Sequence, residues 1–355
     1  MQEGISDARV VRLNAEMFPV AETERRLFDR YGVKPIEIEV ARAHQIIPHV
    51  RTAHAVCVIS AALPATVIDS LAECRLISRL GNGTDKIDVA RATERGIVVS
   101  NVPDFCTDEM ADYVMAMVLC FSREISRMAR HMRAGAFGRA RTESLTLRRL
   151  SSRTLGLIGW GASAMAVTRR AQPFGMKVIA TRRDLGKSSP EAERLGVEIV
   201  GLDELLESAD FVSLHLPLTD QTRGLLSRER LGRMKRGAYF INAARGEIVD
   251  EDALAELLHG GHLGGAGIDT FGVIDIFGET EAVPTHPLVS ADNVIATPHV
   301  SALSVESTRA VAIGSVGNLV SVLHGHLPHP DHIVNPEVVP RFPLKPHDPT
   351  LFDEE

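Results

Sequence analysis

One ten-residue stretch limits the possible folds more than any other: Leu155-Gly156-Leu157-Ile158-Gly159-Trp160-Gly161-Ala162-Ser163-Ala164. A short apolar strand runs into a Gly-x-Gly-x-x-Ala turn, and a helical pattern follows. In that setting Gly159 permits the tight turn, Gly161 lets backbone approach a pyrophosphate, and Ala164 keeps the helix close to the strand. The amide groups around Ala162 and Ser163 then face an anion at the helix start.

Around this turn the chain alternates. β-Branched runs occur at Ala55–Ser60, Ile97–Asn101, Thr154–Gly159, Lys177–Thr181, Phe211–Leu216, Ala238–Asn242, Gly265–Asp269 and Val294–Thr297. From Thr154 onward helical patterns separate them, at Ala164–Phe174, Leu202–Ser208, Glu229–Met234 and Asp250–Leu258, with another at Ser304–Leu323. Strand, helix, strand repeated in this way builds a parallel sheet covered on both faces. Met110–Arg130 reads as one long helix joining two halves, with the polar stretch Arg141–Arg153 as their boundary. A chain of 355 residues accommodates two such domains. The end from Pro340, with four prolines and an acidic terminus, is expected to be mobile.

Composition removes several classes of function. A net charge of −7 without a basic block disfavours a nucleic-acid partner. The start, Met1 to Asp7, lacks a basic segment leading into an apolar run, and Tyr113–Phe121 is too short to span a bilayer, so a cytoplasmic protein is expected. Cys57, Cys74, Cys106 and Cys120 show no metal-ligand spacing and are read as free thiols. His324, His326, His329 and His332 sit in a Pro/Gly-rich segment and are read as a solvated loop, so no metal is expected.

The first strand after the turn, Lys177–Thr181, refines the ligand. It ends about 20 residues on, where an acidic residue ordinarily receives the ribose hydroxyls of NAD. Arg182 and Arg183 stand there instead. Guanidinium groups suit a 2′-phosphate, which favours NADP over NAD. Arg245 and His299 each follow directly on a strand, at the sheet edge where such folds bind ligands. A fork-shaped cation for a carboxylate and an imidazole titrating near neutrality are what reduction of a 2-oxo acid requires.

Several motifs in order resemble the D-isomer-specific 2-hydroxyacid dehydrogenase family over about Ala55 to Val338. They are Leu80-Gly81-Asn82-Gly83-Thr84-Asp85 with Ile87-Asp88, Asn101-Val102-Pro103, Thr107 with Ala111-Asp112, the glycine turn, His215-Leu216-Pro217-Leu218-Thr219, Asn242-Ala243-Ala244-Arg245-Gly246, Ile268-Asp269 and Thr297-Pro298-His299. The resemblance implies an α/β protein of two Rossmann-like doubly wound parallel-sheet domains with the active site in the cleft between them. Residues 1–123 and 302–339 would form a discontinuous substrate domain, 124–301 the dinucleotide domain, and 340–355 a tail.

By the same resemblance Arg245 is the substrate arginine and His299 the acid–base. Asn82 and Gly83 would hold the substrate carboxylate through backbone amides. Asp269 would bond the nicotinamide amide, while Thr107, His215, Pro217 and Ala243 line the cofactor. The family glutamate beside the histidine aligns with Ile274; Asp275 is taken as its substitute, with Glu279 nearby in an apparent insertion. The implied activity is hydride transfer between NADP(H) or NAD(H) and a small D-2-hydroxy acid or 2-oxo acid such as glyoxylate or hydroxypyruvate, in a homodimer with Met110–Arg130 as a candidate contact. The alternatives are a 3-phosphoglycerate dehydrogenase and a dinucleotide-sensing corepressor-like interaction protein.

Overall fold

Short runs of valine, isoleucine and leucine with no polar face can be satisfied only inside a sheet covered on both sides. In the computed structural model, which describes residues 7–40, 42–277 and 283–354, these runs pair into two all-parallel sheets. By contacts the chain divides into two compact units, Met1–Phe105 with Ser304–Glu355, and Cys106–Leu303.

The first unit holds β1 (Val10–Leu13), β2 (Ile36–Ile38), β3 (Ala55–Val58), β4 (Leu76–Arg79) and β5 (Val98–Ser100), in the order β2-β1-β3-β4-β5. Its apolar core lies on both faces, and one side is closed by the helix Val305–Leu323, whose Val316, Leu319 and Val320 pack with Val10, Leu76 and Val98. Ser304 caps that helix by accepting from the Ser307 N–H.

The second unit holds β6 (Thr154–Ile158), β7 (Lys177–Thr181), β8 (Glu198–Ile199), β9 (Phe211–Leu214), β10 (Tyr239–Asn242), β11 (Gly265–Ile268) and β12 (Val294–Ala296). Their order is β12-β11-β10-β9-β6-β7-β8. The chain leaves β6 in one direction for β7 and later returns to its other side with β9, so the order reverses between β6 and β9. In open parallel sheets, ligands bind at the carboxyl ends of the strands beside that reversal.

Three expectations are corrected by the structure. Met110–Arg130 is two helices, Thr107–Ser122 and Ile125–Arg133, because Glu124 adopts a left-handed backbone (φ 51°) that no α-helix passes through. The first of them belongs with the second unit rather than the first: Ala111, Val114, Met117 and Val118 are buried against Leu155, Leu157 and Val167. Arg141–Arg153 therefore lies inside that unit and divides nothing.

The segment from Pro340 is held rather than loose. Arg341 donates to the carbonyls of Leu71 and Cys74 at 2.6 and 2.9 Å, Phe352 stacks on Tyr31 at 5.3 Å, and Arg30 pairs with Asp353 at 2.8 Å. Its prolines and charges hid these anchors because each is a single residue spaced without period.

Candidate active site

At the carboxyl end of β6, Gly159 has φ +107°, a conformation that side-chain-bearing residues rarely adopt. A Cβ there would stand 2.8 Å from the His215 carbonyl carbon and overlap its oxygen. The turns after β6 and β9 thus meet backbone to backbone, and only glycine fits. Gly161 is different: it has ordinary dihedrals, is exposed, and has nothing within 4 Å of where a Cβ would be. It opens the helix Ala162–Ala171, whose first amides, on Ala162, Ser163 and Ala164, lack intrahelical acceptors by helix geometry. Ala164 is fully buried against the sheet. Backbone amides at a helix start with open space beside Gly161 fit a pyrophosphate.

His215 braces this turn. Its Nδ1 lies 3.1 Å from Ser163 Oγ and its Nε2 3.0 Å from Ser213 Oγ. Burial pulls its pKa down to about 4, so the ring is a neutral imidazole using one nitrogen as donor and the other as acceptor. Pro217 is exposed two residues on, and Ala243, at the end of β10, is buried. Thr107 starts its helix and is half-buried.

Past the end of β7, Arg183 is exposed and donates to Gln221 Oε1 at 2.9 Å. Arg182 is half-buried, and its Nε is buried with no hydrogen-bond partner among the described residues. Trp160, inside the glycine turn, donates from its indole to Ser189 Oγ at 3.1 Å and so ties the turn to the loop that carries both arginines.

Arg245 sits one turn beyond β10. Asn242, only 1% exposed, grips that turn from both sides: its Oδ1 accepts the Ala244 N–H and its Nδ2 donates to the Arg245 carbonyl, each at 3.0 Å. One guanidinium nitrogen of Arg245 donates to the Ala244 carbonyl at 2.7 Å, and the side chain is half-buried.

His299 follows β12 with φ 56°, an unfavourable backbone for a residue with a side chain. Asp269, fully buried after β11, holds it there. The Asp269 carboxylate accepts Thr297 Oγ1–H at 2.6 Å and the Val300 and Ser301 N–H groups at 2.9 Å, while its carbonyl accepts the His299 N–H at 2.8 Å. Asp269 thereby anchors the histidine turn, a role additional to the nicotinamide contact that the resemblance assigns it. Tyr113 reaches the same cluster through Thr297 Oγ1 at 2.7 Å, and burial pushes its phenol up to about 12.

Asp275 is exposed, and its Oδ1 accepts the Phe277 N–H at 3.2 Å. The group this loop lays against the His299 imidazole is the Phe277 ring, with centroids 5.3 Å apart and planes tilted by 55°. Glu279 lies outside the described residues.

Asn82 and Gly83 belong to the first unit, in the loop after β4. Asn101 Nδ2 donates to the Asn82 carbonyl at 2.8 Å, and Arg79 Nε to the Gly83 carbonyl at 2.8 Å. Arg79, Asn242 and Glu251 escaped the sequence reading; Arg79 and Asn242 lie within or beside quoted motifs, but their bonds run to backbone that no spacing reveals.

Among the described residues no group of three or more His, Cys, Asp or Glu is arranged to hold a metal, and no helix is long and apolar enough to cross a membrane. His332 departs from the solvated reading: it is half-buried with Nδ1 2.9 Å from Asn318 Oδ1. Cys57, Cys74 and Cys120 are free thiols, and burial pushes Cys57 and Cys74 up to about 12.

Residues 115–301 match the family described as D-isomer specific 2-hydroxyacid dehydrogenase, NAD binding domain. A glyoxylate reductase of Korarchaeum cryptofilum is 37% identical over 283 residues, 78% of this chain and 81% of that protein. A hydroxypyruvate reductase of Thermotoga maritima is 37% identical over 296 residues, 81% of this chain and 92% of that protein. The D-lactate dehydrogenase of Aquifex aeolicus, solved with NAD and lactic acid, superposes with a TM-score of 0.79 at 26% identity, covering 92% of this chain and 99% of that one.

Proposed function

The chain belongs to the D-isomer specific 2-hydroxyacid dehydrogenase family, oxidoreductases acting on CH–OH donors, and from that premise we propose an NADP(H)-preferring reductase of a small 2-oxo acid, glyoxylate or hydroxypyruvate. The observation that carries the cofactor preference is Arg182, whose buried Nε lacks a partner beside an exposed Arg183, at the strand end where a ribose-binding acid would otherwise stand. An unpaired buried donor is costly, and a 2′-phosphate would satisfy it with charge-assisted bonds.

When bound, the reduced nicotinamide supplies the hydride that adds to the carbonyl carbon. The protein's own part is binding and proton transfer. The Arg245 fork holds one carboxylate oxygen and the carbonyl oxygen of the substrate, and the resemblance assigns carboxylate binding to the amides of Asn82 and Gly83. Protonated His299 gives its proton to the carbonyl oxygen as it becomes an alkoxide, and solvent restores the imidazolium; oxidation runs the same transfer backwards. The resemblance assigns Asp275 the place of the acid that supports this imidazole, although the side chain packed on the His299 ring is Phe277. Replacing Asp275 by Asn together with Glu279→Gln then moves the reductive optimum to lower pH; an unmoved optimum removes Asp275 from the mechanism.

The assembly is proposed to be a homodimer formed through the helices Ile125–Arg133 and Phe137–Ser144. Neither contains a buried residue, and Ile125, Met132, Phe137 and Leu145 are 54, 67, 48 and 87% exposed. Apolar exposure gathered in this way marks an interaction surface.

The test is oxidation of NADPH and of NADH with glyoxylate, hydroxypyruvate, pyruvate and 3-phosphohydroxypyruvate. The expected result is turnover of a small 2-oxo acid with kcat/KM at least about tenfold higher for NADPH, lost in Arg182→Ser/Arg183→Ser. Equal or better use of NADH by the unaltered protein would overturn the preference, and best turnover of the phosphorylated substrate would overturn the substrate class.

A further inference from the structure

Glu251 is the first residue of the helix Glu251–His259, whose N-cap is Asp250, and an acid there ordinarily faces water and complements the helix dipole. Here it is 4% exposed. Its carboxylate turns to the loop that follows β11 and accepts the Gly272 N–H at 3.0 and 3.1 Å through both oxygens, and the Val273 N–H at 2.9 Å through one. Those amides belong to residues whose own surfaces are exposed, so the loop is gripped from its inner side.

The same loop presses on the Arg245 turn. A Cβ at Gly246 would stand 2.6 Å from Phe271 Cα and overlap the Gly272 nitrogen. Four residues beyond Val273 the loop lays the Phe277 ring on the His299 imidazole. One buried carboxylate therefore ties together the backbone next to Arg245 and the segment that seats a ring on His299.

We propose that Glu251 is a positioning residue of this site: by holding the Gly272 and Val273 amides it fixes the loop that packs Phe277 against His299 and so sets the orientation of the imidazole. The proposal rests on the reading of His299 as the proton donor only for its kinetic consequence; the mechanical link stands on the geometry alone. Burial, the largest influence, raises the Glu251 pKa, opposed by the two backbone N–H groups and His286, with Glu247 adding to the rise. The charged groups around it are thus His286 and Glu247, with Asp252 bonded to His286 Nε2 at 3.0 Å.

Two readouts separate the link from the chemistry. The first is the His299 Hε1 proton resonance, assigned by its loss in His299→Ala and recorded on the full chain. Ring current from Phe277 displaces it, and the displacement is expected to disappear in Phe277→Leu and equally in Glu251→Ala, whether or not the protein turns over any 2-oxo acid. A resonance unchanged in Glu251→Ala overturns the proposal.

The second is kinetic. Glu251→Ala is expected to lower kcat about 10- to 100-fold, with the NADPH Kd, read by quenching of the single tryptophan Trp160, changed less than about threefold. Glu251→Ala/Phe277→Leu should lose no more than Glu251→Ala alone, because both act through one contact. Multiplicative losses in the double variant, or a lower melting temperature with unchanged kcat, also overturn it. Absence of any turnover by the unaltered protein rejects the proposed function and leaves the resonance test to decide the link.

Discussion

Gly159 and Gly161, two residues apart, should fail in opposite ways when each is changed to alanine. At Gly159 the backbone stays at φ +107°, which costs a side-chain-bearing residue about 1–3 kcal/mol. The new methyl would also overlap the His215 carbonyl, which cannot swing away freely because the His215 N–H is bonded to the Ile158 carbonyl at 2.8 Å. Overpacking of this kind adds about 1–3 kcal/mol. A loss of about 3 kcal/mol lowers the melting temperature of a unit this size by about 6–12 °C.

At Gly161 the dihedrals suit alanine and the methyl meets nothing within 4 Å, so the melting temperature should fall by no more than about 3 °C. That methyl would instead occupy the space where backbone approaches a pyrophosphate. NADPH Kd should rise at least about tenfold. Thermal melts and Trp160 quenching read the two effects on the same samples. Gly161→Ala binding within about threefold of the unaltered protein, or Gly159→Ala melting with it, would refute the assignment of the two glycines.

Three further outcomes follow from the same structure. Asp269→Ala leaves the Val300 and Ser301 amides without their carboxylate, so unfolding in urea should show a loss of about 2–4 kcal/mol together with a collapse of kcat; an unchanged midpoint would remove Asp269 as the anchor of the histidine turn. His215, held near 4 in the folded chain against 6.5 when exposed, lets the unfolded state take up a proton first. Its contribution is therefore intact above about pH 6.5 and lost as pH falls toward 4, about 1–2 kcal/mol by pH 5, and His215→Asn should flatten that slope in urea titrations at pH 7 and 5. Leu145→Asp combined with Met132→Asp should halve the mass seen by light scattering, and a mass unaltered by both changes would place the dimer contact elsewhere.

The parts of this protein legible in its sequence are those with a local cause. The strands from Thr154 onward read as continuous apolar runs because a parallel sheet buries both faces, and the helix Leu202–Ser208 is found where its pattern places it. The edge strands β2 and β8, of three and two residues, are too short to carry a pattern. The break at Glu124 left no proline or glycine to announce it. In the site, glycines and strand-end residues were visible because their roles follow from backbone position. The partners that orient them were not: Asn242, Arg79 and Glu251 bond to amides and carbonyls brought close only by folding. Glu251 in particular reads as an ordinary acidic helix start, and nothing local distinguishes a solvated glutamate from one buried on a neighbouring loop.

The most direct measurement is the rate of NADPH oxidation in the presence of glyoxylate by His299→Ala beside the unaltered protein, at saturating concentrations of both. If His299 gives the proton, kcat falls about 10²- to 10⁴-fold while Trp160 quenching shows NADPH bound as before. A variant that turns over at the original rate would mean that the His299 imidazole takes no part in the reaction.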